Sequence, residues 1–413
     1  MPPKKSADDA GRSVSNASSG KSKSEKDKDK GKPELQSALG IEPRETRTSK
    51  VLCGETISKI QKKWGSVSVM RASDLAHQEV PRLPSGIFQL DYALGGGFAA
   101  GRINTIYGEK SASKTTTILK TIANAQNVCA NCFTGPQATP DGEITRDCRC
   151  GNFREMVAAF IDVEGTLDLK WAAKLGVQND RLLVSTPEYA EESLDIMEAL
   201  VRSGDVDIVC LDSLAFLTAK EELENSHETG MMAVQSRVIG RGIRKLTSAM
   251  AAIKNEHSRL LTVFFTNQIR MKVGFVLGDP TVQPGGKAPG FAATVEVKVW
   301  PGKYEMDELT GRPVSAEMKF RVEKNKSGPA KMEGLYKLIL TDTETKRTGE
   351  VMEEEDMVKL ATKYGAITGG GGSWTCLGQK FSGKKEEIEL ELARNPQLKK
   401  QLRDLLIKTM LAA

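Results

Sequence analysis

The chain has 413 residues, a formal net charge of +5, 27% charged residues and 39% hydrophobic residues. This length allows two or three domains with a substantial buried core, so disulfide bonds are not needed for stability. Its mean hydropathy is −0.35 and no run of about 18 apolar residues occurs, so we expect no membrane-spanning segment. Lysines near the N-terminus are not followed by an apolar stretch, which predicts no secretory signal and a cytoplasmic protein.

Residues 1–47 are predicted to be a disordered, charged tail. Ser, Lys, Asp and Gly dominate this stretch, and large apolar side chains are almost absent from its first thirty residues. Such a segment cannot bury enough apolar surface to offset the entropy lost on ordering. A solubilising role and a weak contact with nucleic acid are both compatible with this composition.

A short amphipathic helix is expected next, within residues 48–80. Val51, Ile57, Ile60 and Trp64 recur at a spacing of three to four residues or a multiple of it, which places them near one helical face. A helix that stands between a charged tail and a larger core suits an arm that docks on another surface.

The middle of the chain, residues 81–333, alternates apolar strands with helices. This alternation is typical of an α/β fold with a mostly parallel central sheet covered on both faces. After residue 334, short strands, a glycine run and a closing helix predict a small α+β domain over residues 334–413. Strands of the middle region are expected at 103–108, 157–164, 181–187, 206–213, 260–268, 291–300 and 316–325, and helices at 114–127, 191–203 and 233–254.

A phosphate-binding loop is predicted from Gly108 to Thr115, directly after a strand and before a helix. The segment follows the spacing G-x-x-x-x-G-K-[ST], except that Ser113 replaces the second glycine. Backbone N–H groups and the helix N-terminus would surround the phosphates of ATP, Lys114 would reach the terminal phosphates, and Thr115 would bind Mg²⁺. Serine adopts positive φ angles less readily than glycine, so we expect strain or a different loop shape. The predicted nucleotide contacts of this loop are Gly108, Ser111, Ala112, Ser113, Lys114, Thr115 and Thr116.

Two carboxylates stand at the ends of predicted parallel strands. Asp212 ends VDIVCLDS, where a ligand for Mg²⁺ is needed beside the phosphate loop. Glu164 ends FIDVEG and could orient an attacking water or accept its proton. Each pattern is weak alone, because many strands end in an acidic residue and Glu164 could simply cap a turn.

Beyond these motifs, the chain resembles the RecA-type homologous recombinases of bacteria and phages. The likeness begins near Ile57 and runs to the end of the chain. Because many segments occur in the right order, it is far more specific than the loop alone. The segments include LPSGIFQLDYALGGG, GRINTIYG, DLKWAAKLGV, LLVSTPEYAEESLDIMEALVRSGDVDIVCLDSLAFLT, NQIRMKVG and VEKNKSG.

This resemblance implies a RecA-like ATPase core and assigns further residues to the nucleotide. Asp168 and Trp171 match adenine contacts, with Trp171 where the family usually has tyrosine. Gln268 matches a glutamine that senses the terminal phosphate. Lys324 and Lys326 match lysines donated to the ATP of a neighbouring subunit. With these matches, the predicted catalytic residues are Lys114, Glu164, Gln268, Lys324 and Lys326, and Thr115 and Asp212 are the predicted Mg²⁺ ligands.

The resemblance also implies two DNA-binding loops and assembly into a helical filament. The loops span residues 225–233 and 270–290, and a 20-residue loop in a compact domain is hard to explain without a function. The helix at about 51–65 matches the family's polymerisation arm, and Phe291 matches an interface aromatic residue. The expected partners are single-stranded and double-stranded DNA, through Met232, Arg237, Arg244, Arg270, Lys272, Gly285 and Gly286.

Residues 129–150 form a cysteine-rich insertion that has no counterpart in the family pattern. A CxxC pair and a CxC pair flank a turn-rich loop, and four thiolates in two close pairs suit a tetrahedral, structural zinc ion. Redox-active thiols and free cysteines are the alternatives. The predicted zinc ligands are Cys129, Cys132, Cys148 and Cys150.

These patterns together predict a DNA-dependent ATPase that forms filaments on single-stranded DNA and catalyses homologous pairing and strand exchange in recombination and repair. One alternative is a DNA-filament protein with little hydrolysis, because Ser113 departs from the loop motif. A hexameric helicase built on the same core is a second alternative, which the EKNKS segment and the N-terminal arm disfavour. The expected location is the cytoplasm of a bacterium or of a phage-infected host.

Overall fold

A computed structural model describes residues 54–65, 68–70, 80–135, 137–138, 144–145, 148, 150–224, 232–257, 259–271, 281–343 and 346–412. The chain forms two compact units, residues 1–75 and residues 76–413. In the first unit, the predicted helix forms as α1 (Gly54–Trp64), with an acidic first turn and a basic last turn that complement its dipole. It ends at Gly65, whose φ of 94° suits glycine. The tail predicted over residues 1–47 lies outside the described residues.

The second unit begins with short elements and the first strand of a large sheet. The described elements as far as the cysteine-rich insertion are β1 (Arg82–Leu83), α2 (Phe88–Leu94), β2 (Phe98–Ala99), β3 (Ile103–Gly108), α3 (Lys114–Ala125), β4 (Gln137–Ala138) and β5 (Ile144–Thr145). Strand and helix alternation follows, in β6 (Ala158–Asp162), α4 (Leu169–Lys174), β7 (Leu182–Ser185), α5 (Ala190–Ser203), β8 (Ile208–Asp212), α6 (Lys220–Glu224), α7 (Met232–His257) and β9 (Thr262–Gln268).

The remaining elements complete the sheet and add a C-terminal cluster. The chain continues through β10 (Arg270–Met271), β11 (Thr281–Val282), α8 (Ala288–Ala292), β12 (Val295–Met306), β13 (Pro313–Asn325), β14 (Glu333–Ile339) and β15 (Val351–Met352). The cluster contains α9 (Glu354–Lys363), β16 (Ile367–Gly370), β17 (Ser373–Cys376), β18 (Gln379–Ser382), α10 (Glu386–Arg394) and α11 (Pro396–Ala412).

The central sheet has nine strands in the order β15-β14-β13-β12-β3-β9-β8-β6-β7. The six strands from β12 to β7 pair in parallel, whereas β13, β14 and β15 add antiparallel pairs at one edge. This arrangement confirms the predicted α/β fold with a mostly parallel sheet. Parallel strands end at the same sheet edge, so the residues after β3, β6, β8 and β9 lie close together.

Both faces of the sheet are covered by apolar helices, as the continuous apolar strands predict. On one face, Ile118 and Ile122 of α3 pack against strand residues such as Phe264. On the other face, Met197 of α5 and Ile243 of α7 pack against the opposite side of the same strands. The phosphate-loop helix is therefore held by one of the two main cores.

The C-terminal cluster packs on α2 through a third core and a buried ionic network. Phe88 of α2 is fully buried among side chains of α9, α10 and α11. Arg403 of α11 donates to the fully buried Asp91, and Lys399 contacts Glu354 at 2.9 Å. The predicted domain limit at residue 334 falls inside β14, which belongs to the large sheet, and the domain division stays a prediction.

Candidate nucleotide and DNA site

The phosphate loop joins β3 to α3 and lies at the edge where the parallel strands end. Ser113 has φ 57° and ψ 29°, and Ser111 has φ 60°, so both serines adopt the left-handed conformation that glycine favours. The loop therefore turns into α3 in spite of the serine substitution. At Gly108 the need for glycine comes from lack of space and not from the φ angle, since a Cβ there would lie 2.0 Å from the carbonyl oxygen of Val299.

A cleft of about 640 Å³ opens over this loop. It is lined by residues 110–116 together with Glu164, Thr166, Asp212, Phe216 and Gln268. The predicted loop contacts from Ser111 to Thr116 and both strand-end carboxylates therefore meet in one place, whereas the predicted contact Gly108 does not line the cleft. The volume lies in the usual range for small-molecule and cofactor sites.

Hard oxygen donors lie beside a lysine in this cleft, which suits Mg²⁺ and a polyphosphate. The Thr115 hydroxyl donates to Oδ2 of Asp212, and the Lys114 ammonium donates to the Glu109 carbonyl at 2.7 Å. Burial lowers the pKa of Lys114, whereas the charges of Asp212 and Glu164 act in the opposite direction. Burial also disfavours the charged form of Asp212 and raises its pKa, whereas the hydrogen bonds from the surrounding hydroxyl groups act to lower it. A bound metal and phosphate would supply the charges that these buried groups lack.

Glu164 and Gln268 meet above the loop, although 104 residues separate them in sequence. The Gln268 amide donates to Oε1 of Glu164 at 3.3 Å, and the Ser213 hydroxyl donates to the same oxygen at 2.9 Å. The predicted catalytic glutamate and the predicted phosphate sensor are thus in direct contact. Sequence reasoning did not identify Ser213 as their partner.

The predicted adenine contacts lie on α4 and do not line this cleft. Asp168 caps the helix, and its carboxylate accepts from the N–H groups of Lys170 and Trp171 at 2.8 Å and 3.1 Å. The Trp171 side chain packs partly buried against the core. An adenine role for these residues stays a prediction.

Lys324 and Lys326 lie at the end of β13 and reach the short helix α8. The Lys324 ammonium donates to the Gly290 carbonyl, and that of Lys326 donates to the Phe291 carbonyl at 3.4 Å. Phe291 itself is 74% exposed. These lysines are distant in sequence from the phosphate loop and do not line its cleft, which is compatible with a role toward another subunit.

Comparison with known proteins agrees with this geometry. Residues 51–141 and 143–342 match the RecA N-terminal domain. The RecA protein of Francisella philomiragia is 36% identical over 359 residues, which cover 86% of this chain and 88% of that protein. The RecA protein of Francisella tularensis subsp. novicida is 36% identical over 342 residues, or 82% and 84% of the two chains.

This chain belongs to the RecA family. Proteins of this family are DNA-dependent ATPases, and the chain is accordingly an ATP-dependent recombinase of DNA repair. The resemblance deduced from the quoted segments is confirmed. In the part of the chain that the structure describes, no helix has the length and apolarity needed to cross a membrane.

The RecA-type DNA loops are described only in part. Most of the first loop, Lys272 and residues 273–280 lie outside the described residues. Met232 begins α7 and Arg270 is exposed in β10. Gly285 and Gly286 have φ angles of 90° and 76°, and a Cβ on either would come within 3.2 Å of α7.

Helix α7 presents three arginines on one face beside this loop. Arg237, Arg241 and Arg244 are exposed, and none forms an ion pair among the described residues. By contrast, Lys245 is paired with Asp195 and Glu198. The sequence prediction included Arg237 and Arg244 but missed Arg241. Its spacing of four residues after Arg237 is the signal that could have found it.

The cysteine-rich insertion brings its four thiols together, as predicted. The Sγ atoms of Cys129, Cys132, Cys148 and Cys150 lie within 4.8 Å of one another. The separation of Cys129 and Cys150 is 3.7 Å, and a tetrahedral site with bonds of about 2.3 Å requires about 3.8 Å. This donor set fits zinc. Cys210 and Cys376 are buried elsewhere.

Proposed function

We propose that this chain assembles into helical filaments on single-stranded DNA and catalyses homologous pairing and strand exchange with a duplex. The convergence of Lys114, Thr115, Glu164, Asp212 and Gln268 in one cleft carries this proposal. Each of these residues comes from a different strand end or from the loop, and their roles require that they meet. ATP and Mg²⁺ are the cofactors whose chemistry matches these side chains.

Within the cleft, Thr115 and Asp212 would hold Mg²⁺, and Lys114 would bind the terminal phosphates. Magnesium supplies charge neutralisation of the phosphate oxygens when it is bound. Glu164 would accept a proton from an attacking water, and the Ser213 hydroxyl donates to one of its oxygens at 2.9 Å, which supports this role by orienting the carboxylate. The contacts of Lys114 with the Glu109 carbonyl would be exchanged for contacts with phosphate.

Gln268 would couple the nucleotide to DNA. Its amide donates to Glu164 at 3.3 Å, and β10 with Arg270 begins two residues later. A terminal phosphate would compete for the same amide and thereby change the position of the loop that follows. Such an exchange of partners is a two-state element that both ligands can bias.

Lys324 and Lys326 would act on the ATP of a neighbouring subunit. The carbonyls of α8 hold both ammonium groups at the end of the second DNA loop, beside the exposed Phe291. Cations supplied by a second chain stabilise the charge that develops during phosphoryl transfer. Hydrolysis would then depend on assembly, with α1 as the arm that docks on the adjacent subunit.

DNA would lie along α7 and the loop that ends at α8. Arg237, Arg241 and Arg244 provide positive charge and form no ion pair with another described residue, and Gly285 and Gly286 let the backbone approach phosphates closely. Contacts of this kind read the backbone and not the bases, which suits a protein that must bind any sequence. A DNA substrate also supports the proposed cytoplasmic location, in a bacterium or in a phage-infected cell.

A structural zinc ion would hold the cysteine-rich insertion. The proposed ion would add to the short-range contacts of the insertion, such as the hydrogen bond from the Cys129 N–H to the Thr134 carbonyl at 2.9 Å and the two-residue pairing of β4 with β5. We expect about one zinc per chain, and loss of zinc in Cys148→Ser. A chelator should expose residues 129–150 to proteolysis, and Cys376→Ser, at a buried cysteine outside the cluster, should keep the metal. A purified chain without zinc would contradict this site.

The central experiment is ATP hydrolysis by the purified chain with and without single-stranded DNA. We expect strong stimulation by DNA, and loss of turnover with retained nucleotide binding in Glu164→Gln. Tight ATP-dependent DNA binding without stimulated turnover would instead support a filament protein with little hydrolysis. Electron microscopy with DNA distinguishes filaments from the rings expected of a helicase.

A further inference from the structure

Strand β9 carries a buried hydroxyl where it passes the nucleotide cleft. Its sequence is apolar from Val263 to Phe265, and Thr266 follows with 0% exposure. A buried hydroxyl needs a hydrogen-bond partner, and the Thr266 hydroxyl donates to Oδ1 of Asp212. Valine has the same branched shape, so the strand alone does not require threonine at this position.

The two oxygens of Asp212 have different donors. Oδ2 accepts from Thr115, which is itself a proposed Mg²⁺ ligand, whereas Oδ1 accepts from Thr266. Among the described residues, Thr266 is therefore the donor that touches the carboxylate without being a proposed ligand. It pairs in register with Ile106 of β3, so its position is fixed by the centre of the sheet.

We propose that Thr266 is a positioning residue for the nucleotide site, and that its hydroxyl fixes the orientation in which the Asp212 carboxylate meets Mg²⁺. The inference rests on the proposed role of Asp212 in holding the metal. Groups that orient metal ligands through a hydrogen bond typically change metal affinity by about 10-fold to 100-fold when removed. Serine keeps this hydroxyl, and valine keeps the shape without it.

The test measures the affinity of a fluorescent ADP analogue as a function of Mg²⁺ concentration. Three variants are compared with the wild-type chain: Thr266→Val, Thr266→Ser and Thr262→Val. Thr262 is the matched control, because it is a buried threonine on the same strand whose hydroxyl accepts from the Gly101 N–H at 3.1 Å. Thermal unfolding of each variant without nucleotide measures the loss of stability separately.

We expect Thr266→Val to need at least about tenfold more Mg²⁺ for the same nucleotide affinity. Thr266→Ser should stay close to wild type, and Thr262→Val should lose stability without a change in the Mg²⁺ requirement. An unchanged requirement in Thr266→Val, or an equal shift in Thr262→Val, would overturn the proposal. If the wild-type chain itself shows no Mg²⁺-dependent binding, the proposed role of Asp212 fails instead.

Discussion

Two serines in the phosphate loop adopt backbone conformations that cost less for glycine. Ser113 and Ser111 have φ angles of 57° and 60°, and a non-glycine residue in this region costs about 1 kcal/mol or more. The nucleotide loop thus keeps its shape at the expense of local strain. The loop motif predicted strain at Ser113, but it did not predict that Ser111 also adopts a positive φ angle.

Replacement of Ser113 by glycine tests whether this strain matters. We expect Ser113→Gly to hydrolyse ATP as fast as wild type or faster, because the loop reaches the same shape without strain. Stability should change by less than about 1 kcal/mol, since glycine also increases the entropy of the unfolded chain. Steady-state ATPase rates with single-stranded DNA provide the measurement. Ser111→Gly is the matched control, and a large loss only in Ser113→Gly would reveal a specific role for that hydroxyl.

A second residue-scale prediction concerns acid stability. Burial opposes the charge of Glu354, but ion pairs with Lys346 at 2.7 Å and Lys399 at 2.9 Å outweigh it and lower its pKa to about 2. A carboxyl with a lowered pKa stabilises the fold above its unfolded pKa of 4.5, and this contribution is lost as the pH falls toward 2.

Glu354→Gln should therefore lower the free energy of unfolding at pH 7 by about 3 kcal/mol, and the difference from wild type should shrink below pH 4.5. Urea unfolding at several pH values measures this difference. Glu355→Gln is the control, because its partner Lys359 is exposed and such pairs contribute about 0.5 kcal/mol. An equal effect of both substitutions would show that burial of the pair is not the cause.

At the scale of a single element, α7 combines core packing with a cationic face. Arg241 lies about 6 Å along the helix axis from Arg237 and about 4.5 Å from Arg244. We expect Arg241→Gln to weaken single-stranded DNA binding and to reduce the slope of log affinity against log salt by about 0.7. Lys245→Gln should leave the slope unchanged, because Lys245 is already paired with Asp195 and Glu198. Fluorescence anisotropy over a salt series measures both.

Strands and helices were predicted well where the sequence pattern that specifies them lies within a few neighbouring residues. The apolar strand 103–108 and the helix beginning at Lys114 occur as predicted, because continuous apolar runs and the loop motif lie within a few residues. Boundaries shifted where strands continue into a hairpin, as in β12, which runs to Met306 and not to residue 300. A projecting hairpin adds cross-strand pairs that no periodicity within one strand reveals.

Contacts between distant strands could not be predicted from sequence. Thr266 meets Asp212 only because β8 and β9 are neighbours in the sheet, and Gln268 meets Glu164 across 104 residues. Arg403 of α11 likewise contacts both Asp91 of α2 and Glu353, which directly precedes α9, so one ionic network joins helices that are far apart in the chain. Such polar pairs follow from topology, which the residue pattern of any one element does not contain.

At the scale of the assembly, the proposed active site is shared between two chains. Glu164 would act in one subunit, and Lys324 and Lys326 would come from the next. Glu164→Gln and the double variant Lys324→Ala, Lys326→Ala should each be inactive alone. Mixed in equal amounts on DNA, they should recover about one quarter of the wild-type ATPase rate, because a random head-to-tail arrangement pairs intact partners at that frequency.

The mixing experiment distinguishes an active site that is shared between two subunits from a simple loss of function in each variant. A Lys114→Ala chain mixed with Glu164→Gln offers a control, because both defects lie in the same subunit's cleft and no interface can be complete. Recovery in the first mixture and none in the second supports the shared site. No recovery in either mixture, with filaments visible by electron microscopy, would contradict donation of the lysines between subunits.

The cysteine-rich insertion leaves the sheet at the edge opposite the nucleotide. Helix α3 begins at the phosphate loop and ends at Ala125, four residues before Cys129, while β6 returns from Ala158 toward Glu164. A gene could therefore gain or lose this segment in one event without moving any residue of the cleft. A segment that is held by its own zinc ion, as proposed above, would fold without support from the residues of the cleft. The insertion is accordingly a site where length and sequence could vary while the ATPase stayed the same.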